Sequence, residues 1–258
     1  MVNCLSVLTR LEVLKFEFKS PRSSVDKNSR YPPPPTRALL PVLNEFRFRG
    51  VSEYLEDLVT RIDAPLLDDF SVIFFHKPTF DTSQLSRFIS RTPNVKAHDE
   101  ARVEFILQEV SVTLPQTFNG SLKLGISYKR TNFQLSSLAR VCRSSFPQGL
   151  ISAVEHLYII CDERWDWRDD IGNSQWLELL HSFTSVKCLY ISQDAAPRIA
   201  PVLQELVGER ATVVRPFLQT LYLLGIPLGP VEEIFGQFFA ARQLTSHPVA
   251  ISHLNGYY

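Results

Sequence analysis

Val154-Glu-His-Leu157-Tyr158-Ile159, Val186-Lys-Cys-Leu189-Tyr190-Ile191 and Leu218-Gln-Thr-Leu221-Tyr222-Leu223 are one phrase written three times, at intervals of 32 residues. Each copy reads apolar-x-x-Leu-Tyr-Ile/Leu. Looser copies lie upstream: Leu11-x-x-Leu14-x-Phe16, Leu43-x-x-Phe46-x-Phe48 and Leu67-x-x-Phe70-x-Val72. Leu14 and Phe46 are again 32 residues apart, and Phe46 and Phe70 are 24 apart. Self-similarity at a period of about 20 to 50 residues marks stacked supersecondary units, none able to bury its apolar face alone. In a strand, residues i and i+2 share a face, so Leu157 and Ile159 point together. Parallel neighbours about 4.8 Å away align them with Leu189/Ile191 and Leu221/Leu223 as apolar ladders. Tyr158, Tyr190 and Tyr222 then form a row on the opposite face.

Between these strands the pattern turns helical. Ser52 is placed to cap a helix through Arg61, and Thr82 or Ser83 to cap one ending before Pro93. Further helices are expected around Leu135–Val141 and Trp176–Phe183, from about Pro197 to Val207, and around Val231–Phe239. The middle breaks the rhythm. Val103, Phe105 and Leu107 alternate with polar residues, then Val110, Val112 and Leu114, then Leu122, Leu124 and Ile126. This predicts a three-stranded antiparallel excursion over 101–128 with short connections. Residues 20–37 hold Tyr31 and Pro32 to Pro35, a surface connector in which consecutive prolines favour an extended, donor-poor backbone. The stretch 245–258 shows no period and reads as an irregular tail. The expected fold is therefore α/β: a single domain over 1–258, built as a curved solenoid of strand-loop-helix units on a parallel sheet.

The chain has 258 residues, 45% of them hydrophobic, which is ample for a core of this kind. Its 27 basic and 27 acidic residues cancel. Nothing global therefore steers it toward nucleic acid or an anionic membrane. Cys4, Cys142, Cys161 and Cys188 lie 138, 19 and 27 residues apart, without zinc-ligand or redox spacing. That usage predicts reduced thiols and a cytoplasmic or nuclear location. The start has no secretory pattern, and no apolar run reaches membrane-spanning length.

Motifs for chemistry are missing. No Cys-x-x-Cys, His-x-x-x-His, phosphate-cradling glycine loop or Gly-x-Ser-x-Gly elbow occurs, so neither a metal, a cofactor nor a catalytic residue is expected. Two other features point to binding. The tyrosine row offers apolar ring area with hydroxyl tips, the chemistry favoured at interfaces. Alternatively, tyrosine stands there because it suits a pleated surface. The segment Cys161-Asp-Glu-Arg-Trp165-Asp-Trp167-Arg-Asp169-Asp170 sets five carboxylates and two arginines around two tryptophans. Trp165, Trp167, Asp169 and Asp170 fit a partner-binding loop, in which rings fill pockets and charges orient the partner. Equally, Trp165 folds back on the scaffold while the acids stay solvated. Arg47 and Arg49 alternate with Phe46 and Phe48 and belong on the solvent face of their strand.

Leucine-centred strands alternating with helices at this period resemble a degenerate leucine-rich repeat. Unlike the common form, these units lack a regular asparagine or cysteine after the strand. The wording is more particular. Tyr31-Pro-Pro-Pro-Pro-Thr-Arg-Ala-Leu-Leu-Pro-Val-Leu-Asn-Glu-Phe-Arg-Phe-Arg-Gly50, Tyr54-Leu-Glu-Asp-Leu58 and Ile62-Asp-Ala-Pro-Leu-Leu67 resemble the repeat region of F-box-like proteins expanded in mushroom-forming fungi. So do Gln134-Leu-Ser-Ser-Leu-Ala-Arg-Val-Cys142 and Phe239-Ala-Ala-Arg-Gln-Leu244. The resemblance implies the substrate-recognition half of a ubiquitin ligase receptor with an unidentified protein partner. Residues 1–20 already read as repeat, with no F-box-like helices ahead of them. A Skp-type adaptor is therefore expected only for a longer product that carries an upstream F-box. The alternatives are a hydrolase or transferase on an α/β fold, with His156 or His181 beside a carboxylate in a cleft, and a truncated non-functional relative.

Overall fold

A computed structural model of the chain describes residues 7–19, 37–75, 82–116, 120–127, 135–162, 171–205, 217–225, 231–244 and 248–254. Ten strands share one sheet: β1 (Val13–Glu17), β3 (Glu45–Gly50), β5 (Asp69–Phe75), β6 (Glu100–Ile106), β7 (Glu109–Pro115), β8 (Ser121–Ser127), β9 (His156–Cys161), β10 (Cys188–Ser192), β11 (Thr220–Leu224) and β12 (Ala250–Leu254). Two short strands, β2 (Ala38–Leu39) and β4 (Ile62–Asp63), pair separately. The helices are α1 (Ser52–Val59), α2 (Ser83–Arg91), α3 (Leu135–Ser145), α4 (Gln148–Ser152), α5 (Asn173–Leu180), α6 (Ala196–Glu205) and α7 (Val231–Gln243).

Spatial order in the sheet is β1-β3-β5-β8-β7-β6-β9-β10-β11-β12. Only β7 runs against its neighbours. The three repeats lie side by side in parallel, with Leu157, Leu189 and Leu221 as register partners and fully buried. A second row crosses the whole sheet: Phe16, Phe48, Val72, Leu124, Val112, Val103, Ile159, Ile191, Leu223, His253. Alternation along each strand puts both rows on one face, and the helices pack there. One core cluster unites the buried members of these rows, with Phe16 packed against it, and the buried apolar residues of α1, α2, α3, α5 and α6; His253, in β12, is half-buried. Phe88 of α2 meets Phe46 and Phe70 at 6.5 and 5.4 Å between ring centres, and Trp176 of α5 meets Phe105 at 5.3 Å. Each such side chain removed from water contributes about 1.5–3 kcal/mol.

The antiparallel excursion is present as β6-β7-β8, and its first hairpin turns through Leu107 and Gln108, the latter at φ 63°. Its insertion is inverted. The last strand, β8, lies beside β5, while the first, β6, lies beside β9. The two added strands preserve polarity, so β9 continues the parallel stack.

Three local expectations give way to tertiary effects. Val51, not Ser52, stands at the N-cap of α1, and the Ser52 hydroxyl turns to Glu53 at 3.3 Å. Thr82 is the N-cap of α2, but its hydroxyl meets Ser144 at 2.7 Å, and no side-chain cap bond forms. Glu56 of α1 caps α2 instead: its two carboxylate oxygens accept the backbone N–H groups of Gln84 and Leu85, both at 2.8 Å. Gln175 of α5 likewise accepts the Leu135 N–H of α3 at 2.7 Å. Finally, the expected irregular tail contains β12, which pairs in parallel with β11 from Thr220↔Ala250 to Leu224↔Leu254. The exposed edge of β11 supplies the ladder that its composition did not advertise. No helix among the described residues is long and apolar enough to cross a membrane. The proline run at 32–35 lies outside the described residues.

Candidate functional site

The face of the sheet away from the helices carries the candidate site. Strands β9, β10 and β11 each give it the tyrosine between their two buried aliphatic positions, Leu157/Ile159, Leu189/Ile191 and Leu221/Leu223. Because all three repeats pair without slippage, Tyr158, Tyr190 and Tyr222 become direct register partners. A one-residue slip in any of them sends its tyrosine into the core.

The three rings form a continuous stack. Tyr158 and Tyr190 lie 4.1 Å apart at 8° between planes, and Tyr190 and Tyr222 lie 4.5 Å apart at 7°. Both distances fall below the spacing of about 4.8 Å between strands, so side chains on this face converge. Gly125 shows the same crowding farther along: a Cβ there would stand 2.8 Å from both Ile73 and Ser111. At the β6 end the stack is closed by Arg102, the register partner of Tyr158, whose guanidinium carbon is 5.4 Å from the ring centre. Its Nε is held by Glu100 at 2.7 Å. His156 Nδ1 and the Tyr190 hydroxyl are 3.2 Å apart. Burial, followed by the neighbouring Tyr158, pushes the Tyr190 phenol well above its ordinary range, so it stays neutral. At the β12 end the register partner of Tyr222 is Ser252.

Beyond Arg102, the same face is a charge lattice. Lys15 and Arg47 both reach Glu45 at 2.8 Å, and Arg47 also lies 3.4 Å from Asp69. Lys123 and Arg49 share Glu109 at 3.0 and 3.6 Å. The hydrogen bond from Lys15 holds the Glu45 carboxyl below its ordinary range; burial opposes this and Arg47 reinforces it. Arg47 and Arg49 do lie on this face, but as partners of carboxylates. The face therefore has two halves: mutually neutralised ions, and a ribbon of ring edges and hydroxyls.

The structure brings three of the sequence-derived candidates together, Tyr158, Tyr190 and Tyr222. Trp165, Trp167, Asp169 and Asp170 lie outside the described residues. Arg102 was not among the candidates. Its alternation opposite Val103 places it on the open face, but its position beside Tyr158 depends on pairing between β6 and β9. Cys142 and Cys161 are buried, and Cys188 is half-buried beside His156 in register. Burial raises all three thiols, with Glu155 adding to the effect at Cys188. Such thiols are poor nucleophiles. Among the described residues, no three His, Cys, Asp or Glu side chains converge as a cation site. Comparison with family models, curated proteins and solved structures returns no match.

Proposed function

We propose that the chain is a non-enzymatic protein-recognition scaffold, a curved leucine-rich-repeat-like solenoid whose open sheet face receives a protein partner. The observation that carries this reading is the stack of Tyr158, Tyr190 and Tyr222 on the face away from the helices. Three ordered rings with hydroxyl tips give a partner apolar contact and hydrogen bonding at little entropic cost, because stacking already restricts their rotamers. Their half-burial leaves ring edges accessible while the leucines beneath serve the core. The resemblance to the repeat region of fungal F-box-like proteins supports the role of substrate-binding part of a ubiquitin ligase receptor, with a Skp-type adaptor reached only through an F-box. Trp165, Trp167, Asp169 and Asp170, which follow β9 in the sequence, are proposed as further partner-binding residues on the chemistry of their side chains alone.

Affinity capture from a mushroom-forming fungus tests this with three baits: the unaltered chain, Tyr158→Ser/Tyr190→Ser/Tyr222→Ser, and Lys15→Ser/Arg47→Ser. The tyrosine variant loses the principal captured protein and the charge variant retains it. Retention by a tyrosine variant with unchanged circular dichroism contradicts the proposal.

A further inference from the structure

We infer that the outer face of Tyr222, above Ser252, is a docking position for one arginine guanidinium of a protein partner. This rests on the open face being the recognition surface and names what its β12 end takes. The stack has two ends, and among the described residues only the first is covered by a cationic side chain of the chain itself. At the first, Arg102 lays its guanidinium against Tyr158, 5.4 Å from the ring centre. At the second, the equivalent register position holds Ser252, whose side chain is too short to cover a ring. Among the described residues Tyr222 stacks on Tyr190 alone.

Electrostatics and shape agree on the occupant. An aromatic face carries negative potential, so the end of a parallel stack attracts a cation. A guanidinium is flat and weakly hydrated, and it stacks while its N–H groups continue to bond to water or partner carbonyls. An ammonium does neither as well. Ala250 and Leu254 flank Ser252 on the same face, Ala250 exposed and Leu254 half-buried. The small alanine leaves the approach open, and the leucine supports the aliphatic stem of an incoming arginine.

The test is a solution NMR titration of the full chain with carbon-13-labelled tyrosine rings, the Tyr222 signals being assigned with Tyr222→Phe. The probe is Nα-acetyl-arginine methylamide, and the control is its neutral isostere, the citrulline derivative. Tyr222 shifts saturably with the arginine probe and binds the citrulline derivative about three- to tenfold more weakly. Ser252→Arg supplies the guanidinium from the chain and abolishes the response. Arg102→Ser vacates the other end, so Tyr158 begins to respond. Equal responses to both probes, no saturable shift at Tyr222, or a response unaffected by Ser252→Arg overturns the site. If the probe fails while the tyrosine-to-serine bait still loses its partner, only the guanidinium position falls. If capture ignores the tyrosines, the recognition surface falls with it.

Discussion

Tyr158 and Tyr190, 32 residues apart in the chain, stack with their ring centres 4.1 Å apart and their planes 8° from parallel. Tyr190 has a second ring on its other side, while Tyr222 has one ring partner among the described residues. Stacked pairs contribute about 0.5–1.5 kcal/mol beyond area burial. Tyr190→Ser is therefore expected to destabilise by about 1–3 kcal/mol and Tyr222→Ser by roughly half as much. Urea denaturation checks the order, and equal effects would show that the rings do not act as a stack.

The same stack sets an alkaline limit on stability. The folded state raises the Tyr190 phenol, mainly by burial, so it keeps its proton after the unfolded chain has lost it. The linked stability is complete below the unfolded value of about 10 and declines as pH rises toward the folded value. Tyr190→Phe has no such group and loses less stability between neutral and strongly alkaline pH. Parallel pH profiles for the two proteins contradict the linkage.

Glu56 ties neighbouring units together by capping α2 from α1. Replacing it with alanine leaves the Gln84 and Leu85 N–H groups without that carboxylate and is expected to cost about 1–2 kcal/mol. Glu56→Gln keeps one acceptor oxygen and recovers part of the loss. Hydrogen exchange at Gln84 and Leu85 reads this directly, with acceleration in the alanine variant.

Gly125 is required by close approach. Alanine there meets Ile73, Ser111 and the Val110 carbonyl oxygen at 2.8–2.9 Å. Overpacking of this kind costs about 1–3 kcal/mol. A thermal shift to lower temperature for Gly125→Ala, larger than for the uncrowded Gly149→Ala, is the expected result; no Cβ contact within 4 Å awaits the latter.

Much of this architecture is legible in the sequence, and the reasons are particular. Leu157, Leu189 and Leu221 recur at one interval, and strands of the same phrase in consecutive units pair directly, so their tyrosines align too. The position of the excursion is visible in its alternation. Its inverted insertion is not, because whether β6 or β8 adjoins β5 depends on long-range pairing rather than on either strand's composition. Ser52 and Thr82 looked like caps by local chemistry, yet Glu56 captures the amides of α2 from another unit, and Gln175 does the same at α3. Ala250-Ile-Ser-His-Leu254 carries too little apolar pattern to announce a strand and becomes one beside β11. Arg102 escapes notice for a related reason: its significance lies in touching Tyr158, 56 positions later.

Hydroxyl-radical footprinting of the chain with and without its captured partner tests the recognition account most directly. Binding is predicted to protect Tyr158, Tyr190 and Tyr222 from oxidation, while exposed positions such as Arg140 in α3 and Leu244, just after α7, react as before. Protection confined to the helix layer, with the three tyrosines as reactive in the complex as in the free chain, would contradict it.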